Sequence, residues 1–168
     1  MSLLAIIPAR GGSKGILKKN IYKINGIPLI AYSINAALQV EKIDKLIVST
    51  DDEEIAEISK EYGASLAPKR NKILADDKSP IIDTVLDLIG KYPNYNEIIV
   101  LQPTSPLRNS KDISGIINFK KEMKCPSVVS ICKVAKVPEL MFRLNNSNKL
   151  QPIIDNNNNI YQRRQDYK

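Results

Sequence analysis

Residues Leu3–Gly15 read LLAIIPARGGSKG, an apolar run that changes abruptly into a basic segment rich in glycine. An apolar run that ends at a proline, here Pro8, is typical of a strand buried on both faces of a parallel sheet. In α/β proteins the ligand binds beyond the carboxyl ends of such strands, near the point where the strand order reverses. The stretch therefore predicts the fold class and the edge of the sheet at which a site would lie.

Strands and helices alternate along the chain after this first strand. Short apolar runs predict further strands over residues 45–49, 65–67, 97–101 and 127–131. Helical spacing and capping residues predict helices that begin near Pro28, Asp51-Asp52, Ser79-Pro80 and Ser110. Alternation of this kind predicts an α/β fold, with a mostly parallel sheet and helices on both faces.

The apolar residues of the third and fourth predicted helices define the faces that we expect to turn inward. They are Ile81, Val85, Leu86 and Ile89 on the third helix, and Ile113, Ile116, Ile117 and Phe119 on the fourth. Ser110 is expected to cap the fourth helix, and Gly63 is expected to end the second.

The last quarter of the chain departs from this alternation. Two short apolar segments on either side of residues 145–148 predict a hairpin, and the asparagines at 156–159 predict a loop. The chain then reaches Lys168 without a closing helix or strand. We therefore expect one domain over residues 1–168 that is incomplete at its C terminus, with an irregular or hairpin segment over residues 145–168.

The composition excludes several kinds of chemistry. The 168 residues are 43% hydrophobic, and a chain of this length can bury roughly 70% of its unfolded surface without a disulfide or metal. Because the sequence contains no histidine, no imidazole can act as a general base or a metal ligand. Cys125 and Cys132 form no Cys-x-x-Cys pair, which excludes a zinc site and a disulfide framework, so we expect them to be core thiols.

The sequence carries no membrane or export signal. It contains no run of about 18 apolar residues, and its first residues lack a basic start. We therefore expect a cytoplasmic protein with no membrane partner.

The formal charge of +7, from 25 Lys and Arg residues against 18 Asp and Glu residues, suits an anionic partner. Four of the cations, Arg10, Lys14, Lys18 and Lys19, lie in one glycine-rich segment that contains no acid. Paired glycines let backbone N–H groups approach an anion, so the segment predicts a site for a triphosphate or pyrophosphate. The alternative is a solvated basic turn, because neither a Walker A loop nor a Gly-x-Gly-x-x-Gly turn is present.

A nucleic-acid binder is the alternative of a different class. Such proteins spread their cations along a face and interleave them with aromatic side chains that stack on bases. Aromatic residues make up 5% of this chain, and its densest basic cluster lies in a single turn. We therefore expect no nucleic-acid partner.

Three segments together resemble a known family. Residues Ile7–Ile16, followed by Lys19-Asn20, resemble the signature of the acylneuraminate cytidylyltransferases, or CMP-sialic acid synthetases. Val48–Asp52 resembles the end of the family's second strand, and Leu101–Arg108 resembles its substrate loop. Arg70 together with residues 74–79 is similar to a fourth, looser motif of the family. The resemblance covers nearly the whole chain and implies a Rossmann-like nucleotidyltransferase fold.

The reaction that this resemblance implies is the activation of a sugar. CTP and a nine-carbon acidic keto-sugar, a sialic acid or related nonulosonic acid, would give the CMP-sugar and pyrophosphate with the assistance of Mg²⁺. Legionaminic, pseudaminic and 3-deoxy-octulosonic acids are the alternative substrates, although the octulosonic-acid enzymes usually carry an acid where this chain has Gln102-Pro103-Thr104. A non-catalytic CTP-binding fragment is a further alternative, motivated by the abrupt end of the chain.

The resemblance also implies roles for individual residues. Arg10 and Lys19 would be catalytic. The nucleotide would contact Ala9, Arg10, Gly11, Gly12, Ser13, Lys14, Lys19, Asn20, Arg70 and Ser79. The sugar would contact Gln102, Thr104, Ser105 and Arg164, the last through its carboxylate. Without the family, Arg70 and Arg164 would each be interpreted as solvated arginines.

No metal ligand is predicted. Asp51 follows a strand and is the acid that topology places near the site, but an N-cap role explains it equally well. Mg²⁺ could instead arrive bound to CTP. Family members generally pair as homodimers through an extra element that this sequence does not show clearly, so the assembly is left open.

Overall fold

The computed structural model describes residues 2–13, 15–68, 70, 79–132 and 141–153. The strands are β1 (Leu3–Pro8), β2 (Lys23–Ile24), β3 (Ile27–Pro28), β4 (Lys45–Ser49), β5 (Ser65–Leu66), β6 (Glu97–Val100), β7 (Phe142–Leu144) and β8 (Leu150–Pro152). The helices are α1 (Leu29–Leu38), α2 (Glu53–Glu61), α3 (Ile81–Lys91) and α4 (Ser110–Met123), and a 3₁₀ turn spans Lys19–Ile21. The chain divides into two compact units, Met1–Val128 and Val129–Lys168.

The first unit is built on a parallel sheet with the strand order β5-β4-β1-β6. Strand β1 lies inside the sheet and pairs with β4 on one side and β6 on the other. Pro8 is opposite Ser49, and Ile6 is opposite Val100, so the three strands end at the same edge. Because the chain leaves β1 toward neighbours on both sides, this edge is the switch point at which α/β sheets bind ligands.

Side chains of β1 alternate between two buried layers. Ala5 and Ile7 pack in a core that also contains residues of α1, α2 and α4, whereas Leu4 and Ile6 pack against Val85 of α3. Both faces of the central strand are therefore covered, which explains its continuous apolar run. The predicted mixed fold with helices on both faces of a parallel sheet is confirmed.

The inward faces of two helices differ from the prediction. On α3 the buried residues are Thr84, Val85 and Leu88, whereas the expected Ile81, Leu86 and Ile89 are exposed. This helix carries apolar residues around most of its circumference, so spacing alone did not identify the stripe that packs. On α4, Ile113 is buried and Ile116 and Ile117 are partly buried, but Phe119 is 51% exposed. Phe119 follows the buried Ile113 by six positions, which places it about 120° around the helix from that residue.

The predicted helix caps are displaced by one residue. Asp52, not Asp51, caps α2, because its carboxylate accepts a hydrogen bond from the backbone N–H of Ile55 at 3.0 Å. Asn109, not Ser110, caps α4 in a capping box with Asp112. Gly63 follows the end of α2 with φ +90°, the left-handed conformation expected of a glycine stop.

The predicted fifth strand is wrong. Residues 127–132 are irregular, and Val129 and Ile131 are 78% and 91% exposed. A segment with strand propensity forms a strand only when it pairs with another strand, and these residues pair with no strand in the described part of the chain. The expectation of two core thiols is also wrong, since Cys125 is half-buried and Cys132 is exposed.

The second unit contains the predicted hairpin. Strands β7 and β8 are antiparallel, with Arg143 opposite Gln151. Asn145 stabilises the turn because its side-chain oxygen accepts from the backbone N–H groups of Ser147 and Lys149, each at 3.0 Å. The predicted loop over 156–159 lies outside the described residues. Among the residues that the structure describes, no helix has the length and apolar character needed to cross a bilayer.

Candidate active site

A cavity of about 550 Å³, the size of a small-molecule site, opens at the carboxyl ends of β1 and β6. It is lined by residues that follow three separate strands and by the start of α3. Among the residues singled out in the sequence, it brings together Arg10, Ser13, Lys19, Asn20, Arg70, Ser79, Gln102 and Thr104. Residues distant in sequence therefore share one site, as the strand-end argument predicted.

The glycine loop after β1 is held against the end of β4. Ala9 continues the strand ladder, its N–H donating to the carbonyl of Ser49 at 2.9 Å, and Gly11 N–H then donates to Asp51 Oδ1 at 3.0 Å. A Cβ on Gly11 would lie 2.7 Å from Asp52 Oδ2, so only glycine fits this approach. Gly11 therefore has a structural function, and Asp51 anchors the loop instead of capping α2.

Three of the basic cluster's four cations are described, and they divide into two groups. Arg10 and Lys19 line the cavity. Lys18 forms an ion pair with Glu54 on α2, and that hydrogen bond raises the pKa of Lys18. Lys14 lies outside the described residues. The cluster is therefore not a uniform basic turn, because at least one of its cations is bound to the protein itself.

Asn20 supports the glycine loop from within. Its side chain is 5% exposed, and its Nδ2 donates to the carbonyl of Arg10 at 2.9 Å. Since Asn20 also lines the cavity, the same side chain positions the loop and contributes to the wall of the site.

Arg70 is buried, contrary to the solvated arginine that its sequence context suggests. It is 7% exposed, with Nη2 donating to the Ser49 carbonyl at 3.0 Å and Nε donating to Ser49 Oγ at 3.3 Å. Burial lowers its pKa; Asp51 opposes that effect and the charge of Arg10 adds to it. Two guanidinium groups that repel each other at one cavity would both be stabilised by an anionic ligand.

The loop after β6 forms a further part of the cavity wall. Gln102, Pro103 and Thr104 line the cavity, whereas Ser105 is exposed outside it. Arg108 does not line the cavity, but its Nη2 donates to Ser33 Oγ on α1 at 2.8 Å and to the Gln102 carbonyl at 3.1 Å. Burial lowers the pKa of Arg108. Sequence reasoning gave Arg108 no role, although it ends the loop motif.

Some of the predicted site residues do not line this cavity. Ala9, Gly11 and Gly12 belong to the glycine loop but do not line the cavity, and Arg164 lies outside the described residues. The cavity wall also contains residues that carried no chemical signal in the sequence. They are Pro8, Gly15, Pro80, Ile81, Thr84 and Pro103.

A parallel sheet with a cavity at its switch point, and with cations and a glycine loop at that cavity, is the arrangement of a nucleotide-binding α/β protein. A model of the family described as Cytidylyltransferase matches residues 4–167. The chain therefore belongs to the cytidylyltransferase family.

Curated relatives confirm the resemblance to the acylneuraminate cytidylyltransferases. The chain is 40% identical over 142 residues to the CMP-N,N'-diacetyllegionaminic acid synthase of Legionella pneumophila, which covers 82% of this chain and 61% of that protein. It is 37% identical over 149 residues to the N-acylneuraminate cytidylyltransferase of Escherichia coli, over 88% of this chain and 35% of that one. The pseudaminic acid cytidylyltransferase of Campylobacter jejuni is 42% identical over 117 residues, 67% of this chain and 50% of that one. The chain thus spans less than two thirds of the length of each of these relatives.

A solved structure shows the same fold. CMP:2-keto-3-deoxy-manno-octonic acid synthetase complexed with CTP matches with a TM-score of 0.64 over 73% of this chain and 48% of that chain, at 24% identity.

Cytidylyltransferases generally use a divalent metal ion. In residues 2–13, 15–68, 70, 79–132 and 141–153, however, no three acidic or cysteine side chains come together as a ligand set. Asp51 already accepts a hydrogen bond from Gly11 and does not line the cavity. No metal ligand is therefore assigned.

Proposed function

We propose that this chain carries the catalytic site of a cytidylyltransferase that joins CTP to a nonulosonic acid and releases pyrophosphate. The observation that supports this most strongly is the cavity itself, because Arg10, Lys19 and Arg70 line it together with Gln102 and Thr104. The cations of this lining suit a triphosphate, and its amide and hydroxyl groups suit a polyol. The family and the names of the relatives support the same reaction.

The cations would act on the charge that develops during the transfer. When the anomeric hydroxyl of the sugar attacks the α-phosphorus, the bond to the β-phosphate breaks and negative charge builds on the departing pyrophosphate. Arg10 and Lys19 at the cavity would stabilise that charge in place, without the cost of reorienting water. Ser13 and Lys14 would add contacts to the phosphates, and Mg²⁺, arriving with CTP, would neutralise part of their charge.

The nucleoside would lie against the buried part of the wall. Arg70 and the backbone around Ser79, just before α3, would frame the cytosine, and Asn20 would contact the ribose. This arrangement is supported by the burial of Arg70 and by the fact that all three residues line the same cavity. An arginine held by two bonds to Ser49 is preorganised, so little side-chain entropy is lost when the base binds.

The sugar would bind at the loop after β6. Gln102, Thr104 and Ser105 would contact its hydroxyl groups, and Arg164 would pair with its carboxylate through two parallel hydrogen bonds. Sialic acid is the substrate that we propose, with legionaminic and pseudaminic acids, named by two relatives, as the alternatives. The structural neighbour named for an octulosonic acid supports the fold but not that substrate.

Two further features belong to the proposal. We expect the cytoplasm as the compartment, since neither described cysteine is in a disulfide. No nucleic-acid or membrane partner is proposed, and a homodimer is left to measurement.

The direct test is pyrophosphate release by the 168-residue chain with CTP, Mg²⁺ and, in separate reactions, sialic, legionaminic, pseudaminic and 3-deoxy-octulosonic acids. We expect release with one of the nine-carbon acids and none with UTP in place of CTP. Calorimetry with CTP alone accompanies the assay. Tight CTP binding without release from any acid would favour the non-catalytic CTP-binding alternative, and an absence of both would refute the proposed function.

A further inference from the structure

Three hydrogen bonds close the loop after β6 on itself, and two of them end on the Gln102 carbonyl. The backbone N–H of Ser105 donates to the Gln102 carbonyl at 3.4 Å, and the N–H of Arg108 donates to the Ser105 carbonyl at 3.2 Å. The guanidinium of Arg108 then turns back and donates to the same Gln102 carbonyl at 3.1 Å. The side chain that ends the loop therefore holds the residue that begins it.

A buried hydroxyl on α1 completes this arrangement. Ser33, which is 1% exposed, accepts from Arg108 Nη2 at 2.8 Å, and its own Oγ lies 3.4 Å from the Gln102 carbonyl, to which it donates. Arg108, Ser33 and Gln102 thus form a triangle that fixes the loop to the core helix. We call these three residues the Arg108 triangle.

Burying Arg108 in this position costs free energy of folding, which indicates that its side chain makes contacts that offset the cost. It is half-buried, its Nε is buried without a hydrogen-bond partner among the described residues, and Asp112 is the acid that offsets its charge. Burying a donor that makes no bond costs free energy that a smaller polar residue would avoid. A planar group with several donors is, however, suited to bridging a hydroxyl and a carbonyl at once.

We propose that Arg108 is a positioning residue that holds Gln102 at the sugar side of the cavity and thereby determines how tightly the acidic sugar binds. The inference rests on the proposed function, because it assigns the sugar to the wall that contains Gln102 and Thr104. It does not require Arg108 to touch the substrate. On the side of the cavity proposed for CTP, Asn20 donates to the Arg10 carbonyl and Arg70 donates to the Ser49 carbonyl, so these two hydrogen bonds do not involve the triangle.

Three single variants, one double variant and one control variant test this role. Arg108→Met keeps the apolar stem and removes every donor, Arg108→Lys keeps an ammonium that can donate to both oxygens, and Ser33→Ala removes the hydroxyl. Arg143→Met, on the exposed strand β7, is the matched control for loss of an arginine. The readouts are the KM for the sugar acid, the KM for CTP, kcat, and amide hydrogen exchange at Ser105.

We expect Arg108→Met to raise the KM for the sugar about tenfold, as the loss of a charged hydrogen bond does, while the KM for CTP stays within about twofold. Arg108→Lys should recover most of that loss, and the double variant Ser33→Ala/Arg108→Met should be no worse than Arg108→Met alone. A purely structural role would instead raise both KM values, or lower kcat alone, and Arg108→Lys would not rescue it. Either of those results would overturn the inference.

Amide exchange separates this inference from the proposed function. If the wild-type chain releases no pyrophosphate, the proposed function fails, but faster exchange at Ser105 in Arg108→Met would still support the clamp on Gln102. Unchanged exchange at Ser105 would overturn the inference whether or not the chain is active. Should Arg108→Met fail to fold, the two KM values, kcat and the exchange at Ser105 measured in Ser33→Ala decide the question.

Discussion

Gly11→Ala should destabilise the protein by an amount that can be estimated from its contacts with one neighbouring side chain, that of Asp52. An added Cβ at this position would lie 2.7 Å from Asp52 Oδ2 and 2.9 Å from Asp52 Cβ. Neither contact is tolerable, so the Asp52 side chain must move, and it is the cap of α2. Loss of the cap costs about 1 kcal/mol, and the overpacking costs about 1–3 kcal/mol more. The free energy of unfolding should therefore fall by about 2–4 kcal/mol.

Thermal unfolding followed by circular dichroism measures this loss. For a chain of 168 residues, each kcal/mol lowers Tm by roughly 2–4 °C, so Gly11→Ala should lower it by roughly 5–15 °C. Gly12→Ala is the matched control, because a Cβ there meets nothing within 4 Å. We expect that variant to change the free energy of unfolding by less than about 0.5 kcal/mol.

A second background isolates the cause. Asp52→Gly removes both clashing atoms, and glycine replaces an acidic N-cap at a cost of only a few tenths of a kcal/mol. In the Asp52→Gly background, Gly11→Ala should therefore cost less than about 1 kcal/mol. If the loss is equal in both backgrounds, or if Gly12→Ala is as damaging as Gly11→Ala, the contact with Asp52 does not explain the glycine.

Three variants of cavity residues, with Lys18→Ala as a control outside the cavity, test the proposed roles. Arg10→Ala should reduce kcat by roughly 10²–10⁴-fold with the fold intact. Lys18→Ala should change kcat by less than about threefold, because Glu54 holds the Lys18 ammonium in an ion pair. Equal rates of pyrophosphate release in the two variants would contradict the division of the basic cluster. Gln102→Ala should weaken use of the sugar acid about tenfold more than binding of CTP, and an equal loss of both would argue against placing the sugar at this loop. Arg70→Lys should raise the Kd for CTP about tenfold, as measured by calorimetry. The reason is that an ammonium cannot reproduce the two hydrogen bonds that the guanidinium donates to Ser49. Wild-type affinity in this variant would show that CTP binding does not depend on the guanidinium geometry.

The parts of the fold that depend on local patterns were predictable from the sequence. The run at Leu3–Ile7 identifies a central strand because only a strand covered on both faces needs apolar side chains on both. The glycine stop of α2 and the turn-rich hairpin around Asn145 are likewise set by residues close in sequence. Caps were displaced by one residue because adjacent polar residues, such as Asp51-Asp52 and Asn109-Ser110, compete for one position.

The parts that depend on packing were not predictable. Helix α3 offers apolar residues in several directions, and only contact with Leu4 and Ile6 selects Val85 and Leu88. Phe119 and Ile131 show that an apolar residue on a plausible element can remain exposed when no neighbour covers it. Arg108 carried no signal because its partners are a serine and a carbonyl, groups that occur throughout the sequence.

One backbone carbonyl accepts hydrogen bonds from two segments of the proposed nucleotide site, an arrangement that could not be assembled from the sequence alone. The oxygen of Ser49 accepts from the Ala9 N–H at 2.9 Å and from Arg70 Nη2 at 3.0 Å, so the glycine loop and the buried arginine are held by the same atom. That geometry follows from the pairing of Pro8 with Ser49, and a shift of the register by one residue would turn the Ser49 side chain to the other face of the sheet. The distance between the proposed phosphate and base contacts is therefore set by the pairing of β1 with β4, and mutations at the buried positions of that pair should alter CTP affinity without touching the nucleotide.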